Sequence, residues 1–575
     1  MKKNTTRFLA IALALVMALG VLAACSNDQP AVDPAAPNTP TSPGTPNSPA
    51  PPPPPPPGEE QILRFGTTGV DGRFAPIMSN NIYDAYVSQL VFEPLAYNNA
   101  EGAFVPILAD WTVSADALTY TFTLKDGITF SDGTPLTTAD VAFTYRSMSH
   151  PDYDGPRSYV VADMLGYDEF RAGSTTNFPG VRIVDAKVIE FTFKDGTASP
   201  ANIQSFIYGI MPEHIFAFNS WNDFLDMNSS PLGSGKFVLD DYRPMEYVRL
   251  SKNPNYWNPA DAPKIDGVLM LDVPEESLQN AFLSGQIDLA QPATTIDNYN
   301  DFSAMSIAQP LVHLDNGYQF MCFNTLRPQL SDVRVRQALM YSLPRQAYVD
   351  IMLGPLGSVG LAPISPASWA FPDSGMNDYA LDLAKAEELF AEAGWVKGSD
   401  GVLAKDGVRM AISWLVYTDA PWPGILSELA FDSWRQVGVE LNIEIMDFNT
   451  VSSRTMEPPP EDKDFDIYTM GFSLSIDPDP SGALFDYDAY VEGGFNASGY
   501  YNERAQELIR LGKTEFDQAR RTAIYHEWAQ LMNEEIPTVI VAYRYMLWAV
   551  SNRVQGLGID VYWDWTQDIS NITLS

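Results

Sequence analysis

Four histidines, His150, His214, His313 and His526, and two cysteines, Cys25 and Cys322, are the side chains best suited to hold a transition metal or to serve as nucleophile and base. Their spacing assembles neither. His526-Glu527 lacks the second histidine, one helical turn away, that a zinc-protease helix needs. Gly235-Lys236 is followed by Phe237 and has no glycine upstream at phosphate-loop spacing, and the chain contains no Gly-x-Ser-x-Gly elbow. Two cysteines cannot build a disulfide framework or a cysteine-based zinc site. The 72 acidic residues contain no pair that spacing singles out as acid and base. The chain therefore reads as a non-enzyme, with no catalytic residues, no metal and no cofactor.

The charge balance narrows the partners. Net charge is −37, and the only charges in residues 1–24 are Lys2, Lys3 and Arg7, so the remainder is more acidic still. Such a surface repels phosphate backbones, which argues against nucleic acid. At 575 residues the chain is too long for one core, and 45% hydrophobic residues suffice to pack two to four domains.

Residues 1–24 read as an export signal, with basic residues followed by an apolar stretch from Phe8 to Ala24. The tetrad Leu22-Ala23-Ala24-Cys25 resembles a lipobox, which implies lipidation of Cys25 and a membrane anchor. From Ser26 to Gly58 the composition is dominated by Pro, Ala, Thr, Ser and Asn, ending in unbroken proline from Pro51 to Pro57. That composition cannot bury a core, and proline pre-sets polyproline II, so residues 25–58 read as a lipidated, disordered tether.

The folded part mixes strands and helices. Leu118, Tyr120, Phe122 and Leu124 alternate with threonines and predict a half-buried strand. Asp126-Gly127 and Asp132-Gly133 predict turns on either side of a return strand bearing Ile128 and Phe130. Thr137 is placed to cap a helix with Asp140 in its first turn. Further helices are expected from Asn81 to Phe92, from a cap at Asp332 until Pro344, over Leu381–Ala393, over Glu428–Val437 ending at Gly438, and over Asn502–Leu511 and Phe516–Asn533. Strands are expected at Gln61–Gly66, Val439–Ile445 and Thr538–Val550. The class is α/β of the mixed, α+β kind.

The order of short motifs resembles the peptide/nickel-binding family (family 5) of extracellular solute-binding proteins of ABC importers. Its segments are Tyr120-Thr-Phe-Thr-Leu-Lys-Asp-Gly127, Pro231-Leu-Gly-Ser-Gly235, Lys252-Asn-Pro-Asn-Tyr-Trp257 and Leu283-Ser-Gly-Gln-Ile-Asp288. Asp332-Val-Arg-Val-Arg-Gln-Ala338 after Asn324 follows, then Phe465-Asp466 through Asp477-Pro478-Asp479, and last Ile536-Pro537. The resemblance implies a two-lobed periplasmic-binding-protein-like fold (type II, cluster C) with an extra domain on the first lobe. By analogy, lobe I is 59–98, 229–308 and 538–575, the extra domain is 99–228, and lobe II is 309–537, with crossovers near 306–314 and 534–540. It further implies a monomer that captures di- or oligopeptides outside the membrane between closing lobes and delivers them to an ABC permease and ATPase. An oligosaccharide, a metal chelate, or a sensor without transport are the alternatives.

Candidate ligand-binding residues follow from the same resemblance. They are Asn80, Asn81, Ile82 and Tyr159 on the first side, and Trp414, Tyr417, Trp422, Phe448, Arg454, Phe472, Ser473, Ser475 and Asp477 on the second. Phe472 stands where relatives often carry a tryptophan wall. Peptide-binding relatives hold the ligand's amino terminus with an aspartate shortly after that position. Here Ser475 occupies it, so either Asp477 substitutes, or the amino terminus is not clamped, or the ligand is not an ordinary peptide. A neutral hydroxyl cannot form the charge-assisted bond that a buried ammonium needs.

Overall fold

The computed structural model of the chain describes residues 60–67 and 69–575. The expected signal segment, the tether and lipidation at Cys25 lie outside these residues.

Local signals placed most elements. Thr137 caps the helix Thr138–Met148 in a full capping box: Thr137 Oγ1 accepts from the first turn, and Asp140 accepts from the Thr137 N–H at 2.8 Å. Such a cap stabilises by about 0.5–2 kcal/mol. Asn81 caps Ile82–Val91 and Asp332 caps Val333–Tyr341. A second helix, Arg345–Met352, restarts directly after Pro344. Gly438, at φ +94°, ends the helix Trp422–Val437 in the left-handed conformation that glycine adopts without strain. One expected element does not form. Ile128 and Phe130 are buried, but the backbone there makes only an isolated bridge, Thr129 to Pro135. Both edges of Thr119–Leu124 are taken, by Ala109–Val113 and Val188–Thr192, so the returning segment finds no edge to join.

Two large apolar cores organise the described residues. The first gathers side chains from Leu63 to Met270, then Leu289, and finally Trp548 to Ile572. The second gathers Tyr318 to Tyr543. A four-stranded antiparallel sheet, Ala109–Val113, Thr119–Leu124, Val188–Thr192 and Val181–Ile183, packs with the helix Thr138–Met148 into the first core.

A twelve-stranded sheet runs through both cores. Its continuity rests on one strand of 14 residues, Thr538–Ser551. The first part pairs antiparallel with Gly317–Phe323 and belongs to the second core; the last part pairs with Ala308–Leu314 and Leu289–Ala290 beside the first. In the second core Ala411–Tyr417 lies parallel to both Glu440–Met446 and Ile467–Ser473, so the carboxyl ends of these three strands lie at one edge. In open α/β sheets such an edge is where ligands bind.

Candidate functional site

The strand Ile467–Ser473 carries the feature that matters most. One of its edges is paired along its whole length with Gly317–Phe323, from Ile467 opposite Phe323 to Ser473 opposite Gly317. Its other edge meets Ala411–Tyr417 only at Ile467 and Tyr468. From Thr469 to Ser473 that edge has no strand partner among the described residues. Its backbone groups are obligatory donors and acceptors, and an extended ligand backbone is one way to pair them. Asn316 stiffens the end of the segment: its backbone carbonyl accepts from Leu474 N–H, and its Nδ2 donates to the carbonyls of Leu474 and Ser475 at 2.8 and 3.3 Å.

Aromatic rings flank this edge. Phe472 stacks on Tyr318 (centroids 5.8 Å apart) and meets Phe495 edge-on at 6.2 Å. Phe495 is 53% exposed. Tyr318 and Phe495 escaped the sequence reading. Tyr318 lies in a strand buried at every position, where no alternation marks a face, and Phe495 follows a glycine pair in a segment with no periodicity. At the same sheet edge, Tyr417 packs edge-to-face on Trp422 (5.9 Å) and Phe448 (5.3 Å). Of these three only Phe448 is exposed; Tyr417 and Trp422 are buried and serve as its support.

Three expectations on the second side are corrected. Trp414 is fully buried and stacks on Trp434 of the helix Trp422–Val437, at 5.6 Å, because the strand's covered face must pack on that helix. It forms no ligand wall. Asp477 receives both Nη groups of Arg521, at 2.6 and 2.7 Å, in a pair that is almost wholly buried. Its Oδ1 also accepts the Asp479 N–H. It is not free to take an ammonium. Arg454 lies between Glu444 (2.8 Å) and Asp464 (3.2 Å), so two acids already hold the charge offered to a ligand carboxylate. Ser473 and Ser475 are exposed at the end of the strand.

On the first side, Asn81 spends its side chain inward. Oδ1 accepts from Asp84 N–H, while Nδ2 donates to Asp71 and Asp84. Burial raises the Asp84 carboxyl above its ordinary value, although the N–H groups of Arg73, Gly72 and Asp71 all donate to it. This knot fixes the loop and leaves Asn80 and Ile82 facing out. Tyr159 is 65% exposed, and its hydroxyl shares a 2.8 Å hydrogen bond with Tyr208. Among the described residues no hydrogen bond or ring contact joins Asn80, Ile82 or Tyr159 to the candidates of the second side. The two sides do approach elsewhere: Gly102 lies against Ile476, and the turn Pro200–Phe206 touches the helix Glu503–Thr514. Among the described residues, no group of three or more His, Cys, Asp or Glu is placed to hold a metal ion, and no helix is long and apolar enough to cross a membrane.

With this geometry in view, residues 103–492 match the model of the bacterial extracellular solute-binding proteins, family 5 (middle). The chain belongs to that family. Oligopeptide-binding protein AppA of Bacillus subtilis is 26% identical over 451 residues, covering 76% of this chain and 78% of AppA. Heme-binding protein A of Haemophilus influenzae is 24% identical over 504 residues, covering 84% of this chain and 87% of its own. The structure of AppA from Bacillus subtilis in complex with a nonapeptide superposes with a TM-score of 0.65 at 22% identity, over 90% of this chain and all of that one. The mixed α/β, two-lobed type II fold expected from the motifs is therefore the fold found. As a family 5 member, the chain is a solute-binding protein of the extracytoplasmic kind.

Proposed function

We propose that this protein captures peptides between its two lobes and hands them to an ABC permease and ATPase. The observation that carries the reading is the unpartnered strand edge Thr469–Ser473, set at the carboxyl ends of parallel strands and walled by Phe495 and by Phe472, which is backed by buried Tyr318. An extended peptide can add to such an edge through its backbone, leaving its side chains to roomy pockets. The oligopeptide-binding relative supports the same ligand class. With Asp477 held by Arg521, the hydroxyl of Ser475 stands alone in that segment, and the ligand's amino terminus goes without a carboxylate clamp there.

The lobes in this reading are 59–98, 229–308 and 538–575 for the first, with 99–228 as its extra domain, and 309–537 for the second. Packing adds that Val539–Tyr543 sit on the second core. The protein acts as a monomer, without catalysis, anchored outside the membrane through lipidated Cys25, with residues 26–58 as spacer.

Mass spectrometry of molecules released on denaturing the purified protein tests the ligand class, followed by thermal-shift titration with peptides of graded length and with oligosaccharides. A ligand that binds only the folded state must raise the melting temperature. Peptides are expected to do so, and N-acetylated peptides as strongly as free ones. A rise with a sugar and none with any peptide would overturn the reading. The heme-binding relative marks a second ligand class for the same panel.

A further inference from the structure

A cavity of about 360 Å³ lies wholly on the first-core side: every residue lining it comes from 76–261 or 563–571. Its walls are the helix Ile82–Val91, the short strands Ala96–Asn98 and Phe104–Pro106, the segment 207–209 and the C-terminal loop. Volume and apolar lining, with a few convergent polar groups, match small-molecule sites, which start near 300 Å³. Leu90, Phe92, Val105, Ile107 and Ile207 supply the apolar surface.

Four charged side chains line it: Glu93, Arg157, Lys236 and Asp261. Three are already answered. Lys236 pairs with Asp261 at 2.9 Å. The two oxygens of Glu93 accept from Tyr256 and Trp257, and burial raises its carboxyl. Arg157 is different. Its Nη2 donates to the carbonyl of Ser79 at 3.0 Å and its guanidinium lies 5.3 Å from the centre of the Tyr208 ring, but no acid lies within 4 Å of it among the described residues. Its Nε is buried and meets no acceptor. A buried guanidinium donor without an acceptor is rare in folded proteins, and a carboxylate is the group whose geometry answers it.

We propose that this cavity is a second ligand site, distinct from the strand edge at Thr469–Ser473, and that it takes a small amphipathic carboxylate. The acid group meets Arg157 beside the Tyr208 ring, and the aliphatic or aromatic body fills the space against Leu90, Val105 and Ile207. The hydroxyl bond from Tyr208 to Tyr159 connects the site to a residue exposed on the same side.

Isothermal titration of the full chain with 3-phenylpropionate, octanoate and the amide of each tests this. The acids are expected to bind about tenfold or more tightly than the amides, the scale of one charge-assisted hydrogen bond. Arg157→Gln should bring the acids down to the amide level. Ile207→Trp, which fills the cavity and leaves Arg157 in place, should abolish binding of acids and amides together. Phe472→Ala should change nothing here, and a saturating peptide mixture should not compete. Far-ultraviolet circular dichroism checks that each variant is folded; if Arg157→Gln is not, Ile207→Trp carries the test. Acids binding no better than amides, binding that survives Ile207→Trp, loss of binding with Phe472→Ala, or no binding at millimolar ligand would each overturn the proposal.

Discussion

Two neighbouring strands of the second core, Ala411–Tyr417 and Ile467–Ser473, run parallel and end at the same sheet edge, yet they do opposite work. The first is bonded along the whole of one edge and at Trp414 and Leu415 on the other, and its last four residues are all buried. The second loses one partner after Tyr468, stays buried through Met470 and surfaces at Gly471 and Ser473. An aromatic residue in the first, Trp414, holds the core together; an aromatic in the second, Phe472, is half-buried beside an open edge. Residue type is the same. What covers the sheet face decides how deeply a ring is buried: Trp414 lies under the helix Trp422–Val437, whereas Phe472 meets Tyr318 and the exposed Phe495.

The sharpest way to break that contrast is Trp414→Ala, expected to cost about 3–5 kcal/mol of stability in denaturant unfolding, since it opens a cavity against Trp434. Peptide affinity per folded molecule should stay the same. Arg521→Ala should cost a similar or slightly smaller amount, about 3–5 kcal/mol, by leaving Asp477 buried without its partner. Phe472→Ala should do the reverse: little change in stability, and a peptide affinity loss of about ten- to a hundredfold by calorimetry, as one ring's contact with the ligand, about 1.5–3 kcal/mol, is removed. Phe448→Ala should weaken peptide binding less than Phe472→Ala, because its ring lies beside strand ends that are already paired.

The smallest effect concerns the long strand that links the cores. Trp548 Nε1 donates to Nε2 of His313 at 3.1 Å, and His313 Nδ1 bonds the Leu314 carbonyl at 2.9 Å. Both bonds fit only the neutral ring with its proton on Nδ1. Burial lowers the His313 pKa below 6.5, so the unfolded chain binds the proton first. The stability this residue contributes is therefore full above pH 6.5 and is lost as pH falls below that value. His313→Gln, whose side-chain oxygen still accepts from Trp548, should lose less melting temperature than the parent between pH 7 and pH 5.

Much of the frame was legible in the sequence, wherever a local chemical rule acts alone. Thr137 and Asp332 could be placed as caps because a cap satisfies N–H groups within three residues of itself. The return strand at Ile128–Phe130 was misread because alternation reports burial, and burial does not require a ladder. Among the site candidates, Phe472 was reachable through its place in a motif series. Tyr318 and Phe495 were not, since each lies more than twenty residues away and meets Phe472 only through pairing of distant strands and loops.

By itself, the sequence determined the α/β class, the motif order of the family, the acidic balance and the capped or glycine-stopped helix ends, all of which depend on neighbouring residues or on composition. The start of Trp422–Val437, expected at Glu428, and the helix Phe448–Thr455 were not among them. Only the tertiary structure decided that Asp477 belongs to Arg521, that Arg454 is held by two acids, that Trp414 faces a helix, and that Thr469–Ser473 keeps an open edge. The first three are pairings between groups ten to more than forty residues apart, and the fourth is a strand pairing that stops short. A charge or a backbone amide bonds whatever the fold brings to it, and sequence spacing carries no record of that meeting.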